Sequence, residues 1–226
     1  MSEKNYQPHT YPQRVRVSEQ IFPWRAIGRI NLAGRGYCTA TLVARDVVLT
    51  AAHCMWNRET GRWYPLQYLT FVAGVHGDAV QGSSRIKRML VSRKVKAAVN
   101  PVNKPWRDVR SDWALLRLAE PLGDSLGFLT LSDGRQVSVG MPVVHAGYRE
   151  DYQRVLTVQR GCFITGVHDQ RRLLRSNCQS KRGDSGGPLL LNKGGRWYLL
   201  GLHSVRAGRF QSLAVASRVY SGLWSD

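Results

Sequence analysis

Gly183-Asp184-Ser185-Gly186-Gly187-Pro188-Leu189 is the most informative stretch of this 226-residue chain. A serine enclosed by glycines sits on a sharp turn just before an apolar strand. Gly183 lets the N–H groups of Gly183 and Ser185 point the same way, towards a site where negative charge can develop. Preorganised donors of this kind contribute roughly 3–4 kcal/mol each in catalysis. Gly186 and Gly187 allow close backbone approach, and Pro188 stiffens entry into the strand. A tight turn with a capping serine is the plainer reading of the same residues.

Around this stretch the chain reads as a succession of short strands. β-Branched and aromatic runs recur, among them CTATLV at 38–43, VVLTA at 47–51, YLTFVAG at 68–74, WALLRL at 113–118, MPVVHAGY at 141–148 and RWYLLGLH at 196–203. Gly34, Gly61, Pro101, Pro121, Asp133-Gly134 and Gly194-Gly195 punctuate them. Many short strands between turn signals, without a 3.6-residue period, predict an all-β sandwich or barrel. Helix candidates are short: one through AAHCM after Thr50, one near Arg218 to Trp224. The polar stretch from Pro121 to Arg135 is the best boundary, giving a polar arm or pro-segment at 1–20 and domains at 21–122 and 123–226.

Two further segments carry chemistry. In Thr50-Ala51-Ala52-His53-Cys54, a histidine follows an apolar strand and has small neighbours that leave room for its ring. Its unperturbed pKa suits a general base, although alone it would read as a structural residue. In Ser111-Asp112-Trp113-Ala114-Leu115, an aspartate stands at the mouth of an apolar strand. A half-buried carboxylate there needs hydrogen-bond donors, and a histidine N–H is a good one.

Composition sets outer bounds. Hydrophobic residues are 43% and charged residues 21%, which is ordinary for a globular chain. No apolar run reaches the roughly 20 residues that span a bilayer, so no membrane span is expected. MSEKNYQPHT has no apolar core, so no signal peptide is visible. Net charge is +18, with 26 arginines among the 33 basic residues, an attraction for polyanions, anionic surfaces or acidic peptides. Cys38, Cys54, Cys162 and Cys178 form no Cys-x-x-Cys pair, which argues against a structural zinc. They allow three disulfide pairings, of which two short-range pairs would each close a loop worth about 3 kcal/mol. Disulfides would place the chain in an oxidising compartment. No cofactor or metal site is expected. The remaining histidines, His9, His76, His145 and His168, show no metal-ligand spacing.

The chain order His53, Asp112, Ser185 separates this pattern from other serine-hydrolase arrangements. With CTATL at 38–42, LTAAHC at 49–54, DWALLRL at 112–118, GDSGGPL at 183–189 and GLHS at 201–204, the sequence resembles the trypsin-like, chymotrypsin-fold serine proteases. FPWRAIGRIN at 22–31 and the Cys178-to-Gly183 spacing are similar to their bacterial glutamyl-endopeptidase-like branch. The resemblance implies two six-stranded antiparallel β-barrels with the active site between them and a short C-terminal helix. It implies a secreted or periplasmic, monomeric endopeptidase acting on peptide or protein substrates. Ser185 would be the nucleophile, His53 the base, Asp112 its orienting partner, and the Gly183 and Ser185 N–H groups the oxyanion hole. It pairs Cys38 with Cys54 beside the histidine, and Cys162 with Cys178 beside the nucleophile loop.

Departures from the family pattern raise separate expectations. No Ile-Val-Gly-Gly start is present to supply a new N-terminal amine for Asp184, so Arg182 or an amine exposed by trimming the arm are the candidates. Gln179, Ser180 and Arg182 should lie at the base or mouth of the primary pocket, with His203, Ser204 and Arg206 along its wall. No aspartate stands there, and His203 takes the place where glutamate-specific relatives keep a histidine, so cleavage after acidic residues is expected; a barrel-core histidine without substrate contact is the plainer reading of His203. Two other readings stay open: an inactive protease homologue that binds polyanions through its basic surface, and a nucleic-acid-binding β-barrel, for which the basic stretch Arg85 to Arg110 offers only Trp106 as an interleaved aromatic.

Overall fold

The computed structural model describes residues 14–32, 34–96, 106–208 and 211–223. Twelve strands build two barrels, and we label them β1 to β12. The first barrel uses β1 (Ile27–Leu32), β2 (Tyr37–Ala44), β3 (Val47–Thr50), β4 (Leu69–Ala73), β5 (Gly82–Val91) and β6 (Ala114–Leu118). They close in the order β1-β2-β3-β6-β5-β4, all pairs antiparallel. The second uses β7 (Pro142–Gly147), β8 (Thr157–His168), β9 (Leu173–Ser176), β10 (Pro188–Lys193), β11 (Arg196–Arg206) and β12 (Ser212–Ala216). Its ring runs β8-β7-β10-β11-β12-β9 and closes by pairing of β9 with β8.

Period-two burial explains why these segments fold as barrel strands. In β4, Leu69, Phe71 and Ala73 are buried while Thr70 and Val72 are half-buried, so one face fills the barrel interior. Leu42, Leu49, Leu115 and Leu116 complete that core with almost no exposure. Gly28 is required where β1 crosses β4, because a Cβ there would lie 2.2 Å from the Val72 carbonyl oxygen. The connection between barrels carries the one-turn helix Gly123–Leu126. At the C-terminal end the described residues show a short 3-10 turn, Ser217–Val219, and Trp224 lies outside them.

The N-terminal region is more than an arm. Arg14–Arg16 adds a strand to the edge of β8, with Arg14 opposite Gln159 and Arg16 opposite Thr157. Further along, Glu19 is 2% exposed, and its carboxylate accepts the Leu156 N–H at 2.8 Å and faces His76 Nδ1 at 3.0 Å. That one side chain ties the segment to both barrels. Residues 1–13, including His9, lie outside the described residues.

Both barrels also meet at Thr39. Its N–H lies 3.1 Å from the Gly183 carbonyl oxygen and 2.9 Å from that of Ser185. Its hydroxyl donates to the Gly183 carbonyl at 2.7 Å and accepts the Tyr148 N–H at 3.0 Å. A strand of the first barrel thus holds the serine loop of the second.

Removing the Glu19 carboxylate leaves the Leu156 N–H buried without an acceptor, a cost of about 1–3 kcal/mol. Glu19→Ala is therefore expected to lower the urea midpoint at unchanged m-value; an unmoved midpoint would contradict this role.

Candidate active site

His53 enters the site on the 3-10 turn Ala52–Met55, directly after β3. The turn is anchored to β2 by the Cys38–Cys54 disulfide, with Cα atoms 6.2 Å apart. Cys162–Cys178 is the second bridge and no cysteine is free, so the expected pairing holds. Cys38, His53 and Cys54 lie close together, but both sulfurs are spent in the disulfide and cannot act as thiolate ligands.

Asp112 follows the 3-10 turn Trp106–Ser111 and is 7% exposed. Its Oδ2 stands 2.7 Å from His53 Nδ1, and its Oδ1 accepts the His53 backbone N–H at 2.8 Å. Ser204, from β11 of the other barrel, donates its hydroxyl to the same Oδ2. A carboxylate only accepts, so the ring proton sits on Nδ1 and leaves the Nε2 lone pair for another partner. Burial pushes the Asp112 carboxyl up, but the His53 and Ser204 bonds outweigh it and hold it below its ordinary value. Burial likewise pulls the imidazole down, and the charge and bond of Asp112 reverse this, raising His53 above its usual range.

Ser185 stands between Gly183 and Gly186, with φ of +89° and +80°. Both glycines are required. A Cβ on Gly183 would lie 2.1 Å from the Tyr148 carbonyl oxygen, and one on Gly186 would lie 2.3 Å from that of Thr39. Among the described residues, neither the Gly183 nor the Ser185 N–H donates to a protein acceptor. His53, Ser185 and Gly183 line one cleft of about 680 Å³.

The partner of Asp184 differs from expectation. Asp184 is fully buried, and Arg14 grips it with two parallel bonds of 2.6 and 2.7 Å. The remaining Arg14 nitrogen, Nε, donates to the Thr157 hydroxyl at 2.8 Å, and the Lys181 N–H adds a bond to Asp184 at 3.0 Å. Burial draws the guanidinium below its ordinary value while Asp184 pushes it back. Arg182, by contrast, is exposed. Guanidinium geometry matches a carboxylate fork, so an internal arginine supplies the buried positive charge here. The alternation Arg14-Val15-Arg16-Val17 was the signal that a strand begins before residue 20.

The expected specificity residues are distributed unevenly. Gln179 is half-buried, and its N–H donates to Gln159 Oε1 at 2.7 Å. Ser180 and His203 are 6% and 4% exposed, whereas Arg206 is open to solvent. The hydroxyl of Ser204 serves Asp112, a role the sequence reading did not assign. His203 packs against His145 with ring centroids 5.1 Å apart. Burial, then electrostatic competition with the adjacent His145, push its pKa down to about 3, so it is neutral near pH 7.

Comparison with known proteins shows the family and the fold. The family model described as Trypsin matches residues 13–222, and the chain belongs to the trypsin family. A glutamyl endopeptidase of Bacillus licheniformis is 26% identical over 141 residues, 61% of this chain and 40% of that relative's length. The chain thus aligns with less than half of that relative. Among solved structures, a Glu endopeptidase in complex with MPD superposes with a TM-score of 0.74 at 18% identity, over 91% of each chain. Protease Anisep from Arthrobacter nicotinovorans gives 0.68 at 19% identity, over 90% of this chain and 93% of its own. At such identities these two establish the chymotrypsin-type fold.

Replacing Arg14 by Met leaves Asp184 buried and unpaired, a cost of about 3–5 kcal/mol. Arg14→Met is expected to show a large drop in unfolding free energy, and Arg14→Lys a smaller one. Wild-type stability in Arg14→Met would show that another group satisfies Asp184.

Proposed function

We propose that the protein is a serine endopeptidase that cleaves peptide bonds through an acyl-enzyme. The observation that carries this reading is Asp112: one buried carboxylate takes the ring N–H and backbone N–H of His53 and the hydroxyl of Ser204. Such a carboxylate fixes the imidazole in the tautomer that accepts a proton at Nε2. Ser185 would attack the carbonyl carbon while its proton passes to Nε2. The developing oxyanion would be held by the Gly183 and Ser185 N–H groups. His53 would then return the proton to the leaving amine, and water would repeat the sequence to release the acid. No metal or cofactor is needed for these steps.

The proposed domains are 21–122, carrying His53 and Asp112, and 123–226, carrying Ser185, preceded by an arm at 1–20. The two disulfides and the family support secretion or periplasmic location.

The proposed preference is for an acidic residue on the acyl side of the bond. The glutamyl endopeptidase relative, His203 and the open Arg206 support it. A neutral His203 would act as an N–H donor to the substrate carboxylate, with charge supplied by arginines at the rim. Acyl-p-nitroanilides ending in Glu, Asp, Ala, Lys or Phe test this: Glu is expected to lead, and a Lys or Phe preference would end it.

A fluorophosphonate probe should label the wild type and fail on Ser185→Ala. An unlabelled wild type would return the chain to the inactive-homologue reading. The acidic limb of kcat/KM reports the free-enzyme base. Because Asp112 raises His53, activity should be lost as pH falls through a midpoint above the ordinary value of about 6.5. Asp112→Asn should cut kcat by an order of about 10⁴. A limb at or below the ordinary value would detach His53 from the base role.

A further inference from the structure

The cleft that holds His53 and Ser185 has a charge pattern that the proposed acyl-side preference does not use. The first barrel contributes Arg35 and Arg58 to its lining, and the second contributes Arg182, against a single acid, Glu59. Arg35 and Glu59 pair with each other. Arg58 and Arg182 are exposed, and neither makes an ion pair with a described residue. They come from different barrels and line the same cleft, one five residues after His53, the other immediately before Gly183. Arg58 lies near enough to the imidazole for its charge to oppose protonation of His53.

The wall that carries Arg58 is built firmly. Trp56–Asn57 and Arg62–Trp63 pair as a two-stranded ribbon, and Trp56 meets Trp63 edge-on at 5.3 Å. Asn57 Oδ1 accepts the N–H of Glu59 at 3.0 Å and of Thr60 at 3.3 Å, which orders the tip. Position 58 is therefore held by its backbone while its side chain remains free to meet a ligand.

Which half of a substrate enters this cleft follows from the chemistry. Of the acyl-side candidates, Gln179, Ser180, His203, Ser204 and Arg206 are absent from its lining, and Arg182 alone is present. The leaving amine must take its proton from His53, which does line it. A peptide held with its carbonyl oxygen at Gly183 and Ser185, and its acyl part towards residues 179–180 and 203–206, must send its amine part past Arg58 and Arg182.

We propose that Arg58 and Arg182 form an anionic-side-chain subsite for the leaving half of the substrate, selecting Asp or Glu in the first two positions after the scissile bond. The proposal rests on the endopeptidase reading above. Two guanidinium groups that line one cleft, with no ion-pair partner among the described residues, favour a carboxylate and oppose a lysine. Partial exposure makes the effect sensitive to salt.

The test uses internally quenched peptides with one constant acyl half and Asp, Ala or Lys at the first and second positions after the bond. An acyl-p-nitroanilide with the same acyl half and the fluorophosphonate probe are measured alongside. In the wild type kcat/KM is expected to fall in the order Asp, Ala, Lys, with roughly tenfold between Asp and Lys at low salt. That ratio should shrink as salt is raised to about 0.5 M, where the Debye length falls to a few ångströms. In Arg58→Ala/Arg182→Ala the ratio should approach one, and in Arg58→Glu/Arg182→Glu it should invert. Because each ratio is taken within one enzyme preparation, a fraction of misfolded variant cannot imitate it. Probe labelling and p-nitroanilide cleavage with equal Asp and Lys rates would overturn this subsite alone. A preference for Asp that survives in the double alanine variant would also overturn it. Absence of both labelling and cleavage would remove the endopeptidase reading, and this proposal with it.

Discussion

The fork between Arg14 and Asp184 is the constraint on which the serine loop depends. Asp184 is fully buried one residue before Ser185, and a buried carboxylate without a partner costs several kcal/mol. Arg14 satisfies both oxygens, and Lys181 adds a backbone donor. The backbone of 183–186 then has little freedom. Gly183 and Gly186 occupy positive-φ positions that other residues would strain, and the Thr39 N–H bridges the carbonyls of Gly183 and Ser185. Each of these contacts presupposes Asp184 turned inward. An arginine from the amino-terminal strand thereby determines the conformation of a loop 170 positions away.

The same logic makes the site part of what joins the two barrels. Asp112 belongs to the first barrel, yet one of its donors is Ser204 of the second. Thr39 belongs to the first barrel, yet it braces the serine loop of the second. Glu19 accepts from Leu156 on one side and faces His76 on the other. Asp112, Thr39 and Glu19 are thus each satisfied from both sides of this seam. A relative shift of the barrels would strand several of them at once, which favours one docking geometry.

How much of this was legible in the chain depends on how local each feature is. GDSGGPL could be read because the positions of its glycines and serine are set by backbone geometry within a few residues. Six of the twelve barrel strands, β2, β3, β4, β6, β7 and β11, coincide with the apolar runs quoted from the chain, and the disulfide pairing followed from the family resemblance. Arg14 could not be read, since it is one of 26 arginines and its partner is distant in sequence. Nor could the hydroxyl of Ser204, because its acceptor lies on another barrel. The arm at 1–20 read as polar and proline-bearing, yet the alternating Arg14–Val17 segment pairs with β8, and tertiary pairing overrode composition. His203 was expected at a pocket wall able to carry charge, and burial beside His145 keeps it neutral.

The contrast between the histidines is itself an argument about chemistry. His53 is half-buried and lines the cleft, His203 is 4% exposed, and the charge of His53 opposes protonation of His203. His53 faces a carboxylate, which raises it above its ordinary value despite desolvation. His203 faces another imidazole, and burial holds it down at about 3. His145 is driven the same way, first by burial and then by the charges of Arg14 and Arg149. Groups of identical intrinsic basicity are thus pushed apart by their surroundings, and of these three imidazoles only His53 is raised above its ordinary value. The arginine that pairs with Asp184 also helps to keep His145 and His203 uncharged. The hold on the Ser185 loop and the neutrality of His145 and His203 therefore draw on the same buried guanidinium.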